Sequence, residues 1–185
     1  YTPEWAGAPD SDGIIWNNPP GDYQDWYNFV YQLALALSDH PNVLSYEIYN
    51  EMNLDLWWDG SIEQYQQTLK YASEAVRAAD PDAQILSGAL AEPDSNWIQG
   101  LTESGYTQYY DVLPFHAYPE TWTDPTVVAE NYLGIEYRNY FLPEYEQNGD
   151  GEPVWINEMG YATTPNRTEE DQANWWARAG STFLA

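Results

Sequence analysis

Two short apolar runs that each end in Asn-Glu decide the fold: Val43-Leu44-Ser45-Tyr46-Glu47-Ile48-Tyr49-Asn50-Glu51 and Pro153-Val154-Trp155-Ile156-Asn157-Glu158. Runs of this length predict parallel strands, each ending in a glutamate. Most glycosidases need two carboxyl groups on a rigid frame, one to protonate the leaving oxygen and one to attack or support the anomeric carbon. Glu51 and Glu158 lie 107 positions apart. A (β/α)8 barrel spends ~31 residues on each strand-helix unit, so this gap corresponds to about three units.

Strand and helix patterns alternate along the chain, which predicts an α/β fold with parallel strands and helical crossovers. The predicted strands cover 43–49, 83–88, 110–116 and 154–157, and residues 1–6 have the character of the end of another strand. The predicted helices begin after an Asp22 cap, after a capping box at Ser61, at 96, at 127 and after a Thr168 cap, with a break at Pro143. Residues 1–185 are therefore predicted to form one domain, a partial (β/α)8 TIM barrel of about five βα units.

The spacing of apolar residues predicts which helix faces point inward. Inward-facing positions are expected at Trp26, Phe29, Val30, Leu33 and Leu37 in the first helix, at Tyr65, Leu69, Ala72 and Val76 in the second, and at Ala173, Trp176 and Ala177 in the last. Three helical tryptophans, Trp26, Trp175 and Trp176, are interpreted as packing residues.

The chain is strongly acidic, with 30 Asp and Glu residues against 5 Lys and Arg and a net charge of −25. Such a charge repels phosphate groups, which argues against nucleic acids and anionic membrane surfaces as partners. Adaptation to high salt is the favoured interpretation, because a Debye length of ~3 Å at 1 M salt screens the self-repulsion of the fold. An ordinary acidic secreted enzyme is the alternative.

Cysteine is absent, and the only histidines are His40 and His116. Thiolate chemistry and most histidine-based metal sites are thereby disfavoured, so we expect neither a metal nor another cofactor, and a carboxyl group as any catalytic acid or base. No apolar stretch of 18 residues predicts a membrane span, and the first residues lack the character of a signal peptide. The location stays open, with a secreted protein in a high-salt environment favoured over a cytoplasmic one.

Two motifs carry a family resemblance. Residues 46–51 resemble the W-E-I-W-N-E motif at the fourth strand of clan A glycoside hydrolases, and residues 153–160 resemble their P-[IV]-W-[IV]-T-E-[FM]-G motif at the seventh. Residues 1–6 are similar to the end of the third strand and residues 115–119 to the sixth. The resemblance is to glycoside hydrolase family 39 in particular and covers essentially the whole chain, from the third strand to the seventh helix of the family's barrel.

The resemblance implies a role for each polar residue at the strand ends. Glu51 is expected to be the general acid/base and Glu158 the nucleophile of a retaining double displacement on β-linked sugars. Asn50 would bond the sugar 2-hydroxyl. His116 and Tyr118 would bond a substrate hydroxyl or the carboxylate of the nucleophile, although a histidine satisfied within the core remains the alternative for His116. A carbohydrate-binding protein that keeps the cleft without turnover is the alternative for the whole chain.

Aromatic residues are unusually frequent, with 10 Trp and 17 Tyr. Rigid aromatic planes cover the C–H faces of sugar rings with little loss of side-chain entropy, so part of this surplus is expected to line sugar subsites in an oligo- or polysaccharide-binding cleft. The candidates in loops that follow strands are Trp5, Trp57, Trp58 and Trp122. For each of them, a core position remains the alternative.

The chain departs from the family by lacking the counterparts of its first two strands and its eighth. Five parallel strands would leave two open edges whose unpaired backbone groups attract another chain. A fragment of a longer protein, a domain completed by a second copy and a truncated barrel are the alternatives. A fragment or self-association through the sheet edges is favoured.

Overall fold

Short parallel strands alternate with helices in the computed structural model, which describes residues 1–9, 12–103, 105–121 and 128–183. The strands are β1 (Ser45–Glu47), β2 (Gln84–Leu86), β3 (Leu113–Ala117) and β4 (Val154–Met159). The α-helices are α1 (Tyr23–Leu37), α2 (Ile62–Ala79), α3 (Ser95–Thr102), α4 (Ala129–Tyr132), α5 (Leu142–Asn148) and α6 (Glu169–Phe183). A π-helix, Leu133–Phe141, joins α4 to α5, and 3-10 helices cover Glu4–Ala6 and Tyr106–Tyr109.

The strands lie side by side in chain order. β1 pairs with β2 and β3 pairs with β4, both in parallel. Parallel bridges join the two pairs, one between Leu86 and Val112 and one between Leu90 and Phe115. The predicted α/β fold with parallel strands is therefore confirmed, and the carboxyl ends of β1 to β4 share one edge of the sheet.

The predicted starts of the first two helices are confirmed by their caps. Asp22 accepts hydrogen bonds from the N–H groups of Gln24 and Asp25 at 2.7 and 3.2 Å. Ser61 and Gln64 form a capping box, in which each side chain accepts from the backbone N–H of the other residue. These bonds satisfy N–H groups that have no partner within the helix and so fix where each helix begins.

Helix α2 supplies the centre of the core. Its predicted inner face is confirmed, since Tyr65, Leu69, Ala72 and Val76 are all fully buried. The Tyr65 hydroxyl donates to the Ile48 carbonyl oxygen at 2.9 Å and accepts from the Gly88 N–H at 2.6 Å. One side chain of α2 thereby joins the chain segments that leave β1 and β2.

The predicted strand end at residues 1–6 is wrong. Glu4–Ala6 is a single 3-10 turn, closed by a 2.8 Å hydrogen bond from the Ala6 N–H to the Pro3 carbonyl oxygen. Directly after this turn, Gly7 forms an antiparallel bridge with Pro20. Local turn formation replaces sheet pairing here.

The predicted inner face of α1 is partly wrong. Val30 and Ala34, four positions apart, are buried, whereas Phe29 and Leu33 are exposed. These two residues fall one position away from the line along which α1 packs on α2. The sequence is apolar on more than one side of this helix, so periodicity alone places the buried line incorrectly.

The inner face of α6 is displaced by one residue from the prediction. Trp175 and Ala179 are fully buried, whereas Ala173, Trp176 and Ala177 are exposed. The Trp175 indole donates to the Pro119 carbonyl oxygen at 3.1 Å. Trp175 and Trp176 are equally hydrophobic, so hydrophobicity alone does not predict which of them is buried. The buried one, Trp175, is the one that makes this hydrogen bond.

The predicted helical region 127–147 comprises α4, the π-helix and α5, although residue 127 lies outside the described residues. The predicted interruption at Pro143 is a change of winding rather than a break: the π-helix ends at Phe141, α5 begins at Leu142, and the proline lies in the first turn of α5, where the missing N–H is tolerated. None of the helices in the described ranges is both long and apolar enough to cross a membrane.

Candidate active site

Glu51 lies where the chain leaves β1. Its N–H donates to the Ala89 carbonyl oxygen at 2.8 Å, and Asn50 forms a parallel bridge with Ala89. Tyr49 and Glu51 have φ angles of 77° and 48°, in the left-handed region that non-glycine residues seldom adopt. Such strain persists only where the surrounding structure over-determines it, and it clusters at functional sites.

Glu158 lies on β4 next to a β-bulge. Phe115 is opposite Ile156, whereas His116 is opposite Glu158, so Asn157 is the extra residue in β4. Bulges redirect side chains and are frequent beside active sites. The bulge lets the consecutive side chains of Asn157 and Glu158 both contact groups at the carboxyl edge of the sheet.

His116 connects the two glutamates. Its Nδ1 lies 2.7 Å from Oε1 of Glu51, and its Nε2 lies 3.3 Å from Oε2 of Glu158. The imidazole is buried, whereas the side chains of Glu51 and Glu158 are 15% and 49% exposed. A neutral imidazole donates from one nitrogen only. With one ring proton, the imidazole can therefore donate to only one of the two carboxylates at a time.

Tyr118 gives Glu158 a second hydrogen-bond partner. The Tyr118 hydroxyl donates to Oε1 of Glu158, the oxygen that does not face His116. Burial and the neighbouring Glu158 carboxylate raise the pKa of Tyr118 above its ordinary value, which keeps the hydroxyl protonated. The predicted site residues Glu51, His116, Tyr118 and Glu158 thus lie together.

Glu47 is a third carboxyl group at this site that the sequence interpretation missed. Its Oε2 accepts from Asn157 Nδ2 at 2.7 Å and its Oε1 from the Ala89 N–H at 3.1 Å. Partial desolvation raises the pKa of Glu47, and these two hydrogen bonds oppose the rise. An available signal was its position four residues before Glu51, because even spacing along a strand puts side chains on one face.

A cleft of about 1220 Å³ borders both Glu51 and Glu158. Small-molecule pockets measure ~300–1,000 Å³, so this cleft has room for more than one sugar ring. Aromatic side chains in its wall are Trp57, Tyr118, Tyr140 and Tyr161. Tyr140 and Tyr161 were missed; Tyr161 follows Glu158 by three residues, whereas Tyr140 comes from the helical region and carries no strand-end signal. In the described part of the chain, no cluster of three or more His, Asp or Glu side chains is arranged as metal ligands.

Other predicted substrate contacts lie elsewhere. Trp58 is 2% exposed, with its ring edge against Tyr49, and is a core residue rather than part of the cleft. Trp5 is 89% exposed and borders a separate cavity of about 640 Å³. Asn50 is adjacent to Glu51 but outside the cleft wall formed by the described residues. Trp122 lies outside the described residues.

Comparison with known proteins gives one similar sequence and many similar structures. No family model matches the chain. A β-xylosidase of Caldicellulosiruptor saccharolyticus is 30% identical over 111 residues, which cover 55% of this chain and 22% of that protein. The chain therefore spans about a fifth of the length of the curated relative that it matches.

Three solved structures illustrate the likeness of fold. A family 39 β-xylosidase of Caulobacter crescentus has a TM-score of 0.65 at 19% identity, over 98% of this chain and 42% of its own. A family 39 glycoside hydrolase of Bacteroides cellulosilyticus has a TM-score of 0.63 at 22% identity, over 89% and 36%. A family 2 β-galacturonidase of Eisenbergiella tayi has a TM-score of 0.64 at 19% identity, over 94% and 29%. The resemblance predicted from the motifs is confirmed: this chain is similar to part of a glycoside hydrolase.

Proposed function

We propose that this chain carries the catalytic centre of a retaining glycoside hydrolase that cleaves β-linked O-glycosidic bonds. One observation carries the proposal: Glu51 and Glu158, from different strands, contact the two nitrogens of one buried imidazole, His116. A structural carboxylate pair needs no such arrangement beside a large cleft. Sequence similarity to a β-xylosidase supports the same reaction class.

The surroundings of the two carboxyl groups support different roles. Glu158 accepts a hydrogen bond from Tyr118 and lies 3.3 Å from Nε2 of His116, so two contacts orient its carboxylate as a nucleophile needs. When the ring proton points at Glu158, Nδ1 becomes an acceptor and the facing oxygen of Glu51 must carry a proton. Glu51 is also the less exposed of the two. This distribution supports the assignment of the acid to Glu51 and of the nucleophile to Glu158.

The reaction then follows two steps. Glu158 attacks the anomeric carbon while Glu51 donates its proton to the leaving oxygen, so that a covalent glycosyl-enzyme forms and the aglycone departs. Glu51 next removes a proton from water, which attacks the anomeric carbon and releases Glu158 and the sugar. Retention needs a separation of ~5–5.5 Å between the carboxyl groups of Glu51 and Glu158.

The proposed domain is a single, incomplete (β/α)8 barrel over residues 1–185. Within the described sheet, β1 pairs with β2 alone and β4 with β3 alone, so one side of each strand is open to further pairing. Further barrel strands or a second copy of the chain would pair there. Light scattering in molar salt tests self-association, and a monodisperse monomer would contradict it.

Labelling of the nucleophile tests the function. The chain is incubated with aryl β-glycosides, beginning with a β-xyloside because a β-xylosidase is the similar sequence, and separately with an activated 2-fluoro sugar. Turnover and a mass increase on the peptide that contains Glu158 are expected. Glu158→Gln should abolish both, whereas Glu51→Gln should still accept the label from a sugar with a good leaving group. Label on another residue would contradict the assignment.

A carbohydrate-binding protein without turnover is the second candidate. It is favoured by the 49% exposure of Glu158, because a half-exposed nucleophile lies in a site that does not exclude water. Binding of xylo-oligosaccharides by calorimetry without turnover or label would select this candidate over the enzyme.

We also propose that the protein is secreted and adapted to high salt. The net charge of −25 supports this, because salt screens its self-repulsion. The melting temperature is expected to fall on dialysis from molar to low salt. A melting temperature that does not change with salt would contradict adaptation.

A further inference from the structure

The Glu47 carboxylate takes no part in the proposed reaction, yet it has two well-placed donors. Asn157 Nδ2 lies 2.7 Å from its Oε2 and the Ala89 N–H lies 3.1 Å from its Oε1. Asn157 is 110 positions away in the chain and Ala89 is 42 positions away. Each oxygen thus contacts a different distant segment, and both segments border the site.

The Glu47–Asn157 bond joins strands that are not paired with each other. In the described sheet, β1 and β4 are the first and last of the four strands, and β2 and β3 lie between them. Asn157 is the extra residue of the β4 bulge and directly precedes Glu158. A bond that fixes Asn157 therefore fixes the backbone from which Glu158 projects.

Packing gives Glu158 little support of its own. The residues of β4 are half-buried or exposed in turn, and Glu158 itself is exposed. Its contact with His116 is 3.3 Å, longer than the 2.7 Å contact between His116 and Glu51. A displacement of the bulge would lengthen the contact with His116 first, because His116 is buried on β3 and Glu51 is bonded to Ala89.

We propose that Glu47 is a positioning residue that holds Asn157, and through it Glu158, against His116. As a catalytic device this rests on the proposed function, because the nucleophile must lie within reach of the anomeric carbon. A misplacement of 1 Å lowers a rate on the order of 100-fold. Glu47 contacts no substrate in this role and acts on Glu158 through Asn157.

Imidazole ¹⁵N spectra test the link without any need for turnover. The chain has two histidines, so a sample labelled in histidine gives signals from His116 and His40 only, and exposed His40 is an internal control. Glu47→Ala and Asn157→Ala each remove one end of the link. Both are expected to move the Nε2 signal of His116, which faces Glu158, by several ppm, and to move the Nδ1 signal less.

Two further variants separate hydrogen bonding from charge and from folding. In Glu47→Gln, the new carbonyl can accept from Ala89 while its amide donates to a reoriented Asn157 side chain, so His116 signals close to wild type are expected. Glu74→Ala removes an exposed carboxylate of α2 and should move neither ring. If Glu47→Ala does not fold, Asn157→Ala and Glu47→Gln decide the result.

Kinetics on an aryl β-glycoside provide a second test. Glu47→Ala should lower kcat on the order of 100-fold with little change in KM, and Glu47→Gln should restore most of the loss. Unchanged His116 signals in folded Glu47→Ala and Asn157→Ala would overturn the proposal, and so would an unchanged kcat. A wild-type chain without turnover or label would overturn the proposed function instead, while the spectra still decide the positioning role.

Discussion

Met52, which follows Glu51, is fully buried, whereas Trp155, three residues before Glu158, is exposed. The difference extends to the surrounding structure. Glu51 lies next to the hydrophobic core, in which Tyr65 of α2 is completely buried. Glu158 lies on a strand that is half-buried at most, and its fixed partners are the side chains of Tyr118 and His116.

The comparison indicates that the packed core contributes more to the position of Glu51, and hydrogen bonding contributes more to the position of Glu158. The proposed acid lies between the buried residues Ile48 and Met52, so a disruption of the core would disturb its position. The proposed nucleophile is positioned by a few polar contacts that single-atom changes can remove. Substitutions near Glu51 should therefore change stability most, and substitutions near Glu158 should change activity with little loss of stability.

Truncation of an aromatic residue in each region is the strongest test. Tyr65→Ala removes a fully buried ring and its bonds to Ile48 and Gly88, and should lower the free energy of unfolding by ~3–5 kcal/mol. Trp155→Ala, on the exposed side of β4, should lower it by about 1 kcal/mol or less. Urea unfolding in molar salt, followed by circular dichroism, measures both. Equal losses would remove the distinction between the regions.

Glycine substitutions test the packing next to Glu51. A Cβ at Gly88 would lie 2.4 Å from Met52 Sδ and 2.6 Å from the Ile48 carbonyl oxygen. Gly88→Ala should therefore destabilise by ~1–3 kcal/mol through overpacking. Gly180 in α6 is the matched control, since a Cβ there meets nothing within 4 Å. Gly180→Ala should leave stability unchanged or raise it by ~0.5–1 kcal/mol, and a similar loss in both variants would argue against a specific clash.

Removal of one hydroxyl tests the hydrogen-bonded region. Tyr118→Phe deletes the donor to Oε1 of Glu158 and should lower kcat about 10- to 100-fold, as expected for the loss of a hydrogen bond to a charged group. The free energy of unfolding should change little. Tyr109→Phe, outside the cleft wall formed by the described residues, is the control for loss of a tyrosine hydroxyl. A large loss of stability in Tyr118→Phe without loss of kcat would reverse the interpretation.

The strands that carry Glu51 and Glu158 could be predicted because the relevant information is local. Each is a short apolar run, and its end is marked by a change to polar residues. The inner face of α2 was equally clear, because its apolar residues repeat at helical spacing on one side only. Where periodicity is ambiguous, as at Trp175 and Trp176, the buried residue depends on a distant carbonyl group, that of Pro119.

The contacts around Glu158 could not be predicted because they depend on register between strands. The bulge at Asn157 is a property of the pairing of β3 with β4, and a sequence of six residues does not reveal it. The bond between Glu47 and Asn157 joins positions 110 residues apart. The same holds for Trp57 and Trp58, which are adjacent in a loop without periodicity. Trp57 lies in the cleft wall and Trp58 in the core.

The pH dependence of stability gives the smallest and most specific test of the Glu158 region. Partial desolvation raises the pKa of Glu47 above its ordinary value of 4.5, so the folded chain holds this proton more tightly than the unfolded chain. Glu47 therefore costs stability as pH rises from 4.5 to its raised pKa. Glu47→Gln removes this cost. We therefore compare the free energy of unfolding of the variant with that of the wild type: the difference, variant minus wild type, should increase as pH rises from 4.5 to the raised pKa. Above that pKa the difference should stay constant.

A matched variant with the opposite sign controls for general charge effects. Hydrogen bonds from the backbone and side chain of Thr168 lower the pKa of Asp171 below its ordinary value of 3.8. Its contribution to stability is present above that value and is lost as pH falls toward the lowered pKa. The difference for Asp171→Asn should therefore decrease as pH rises through its window, opposite to Glu47→Gln. Slopes of the same sign in urea titrations at constant salt would show that net charge, rather than the local desolvation of Glu47 beside Asn157, determines the response.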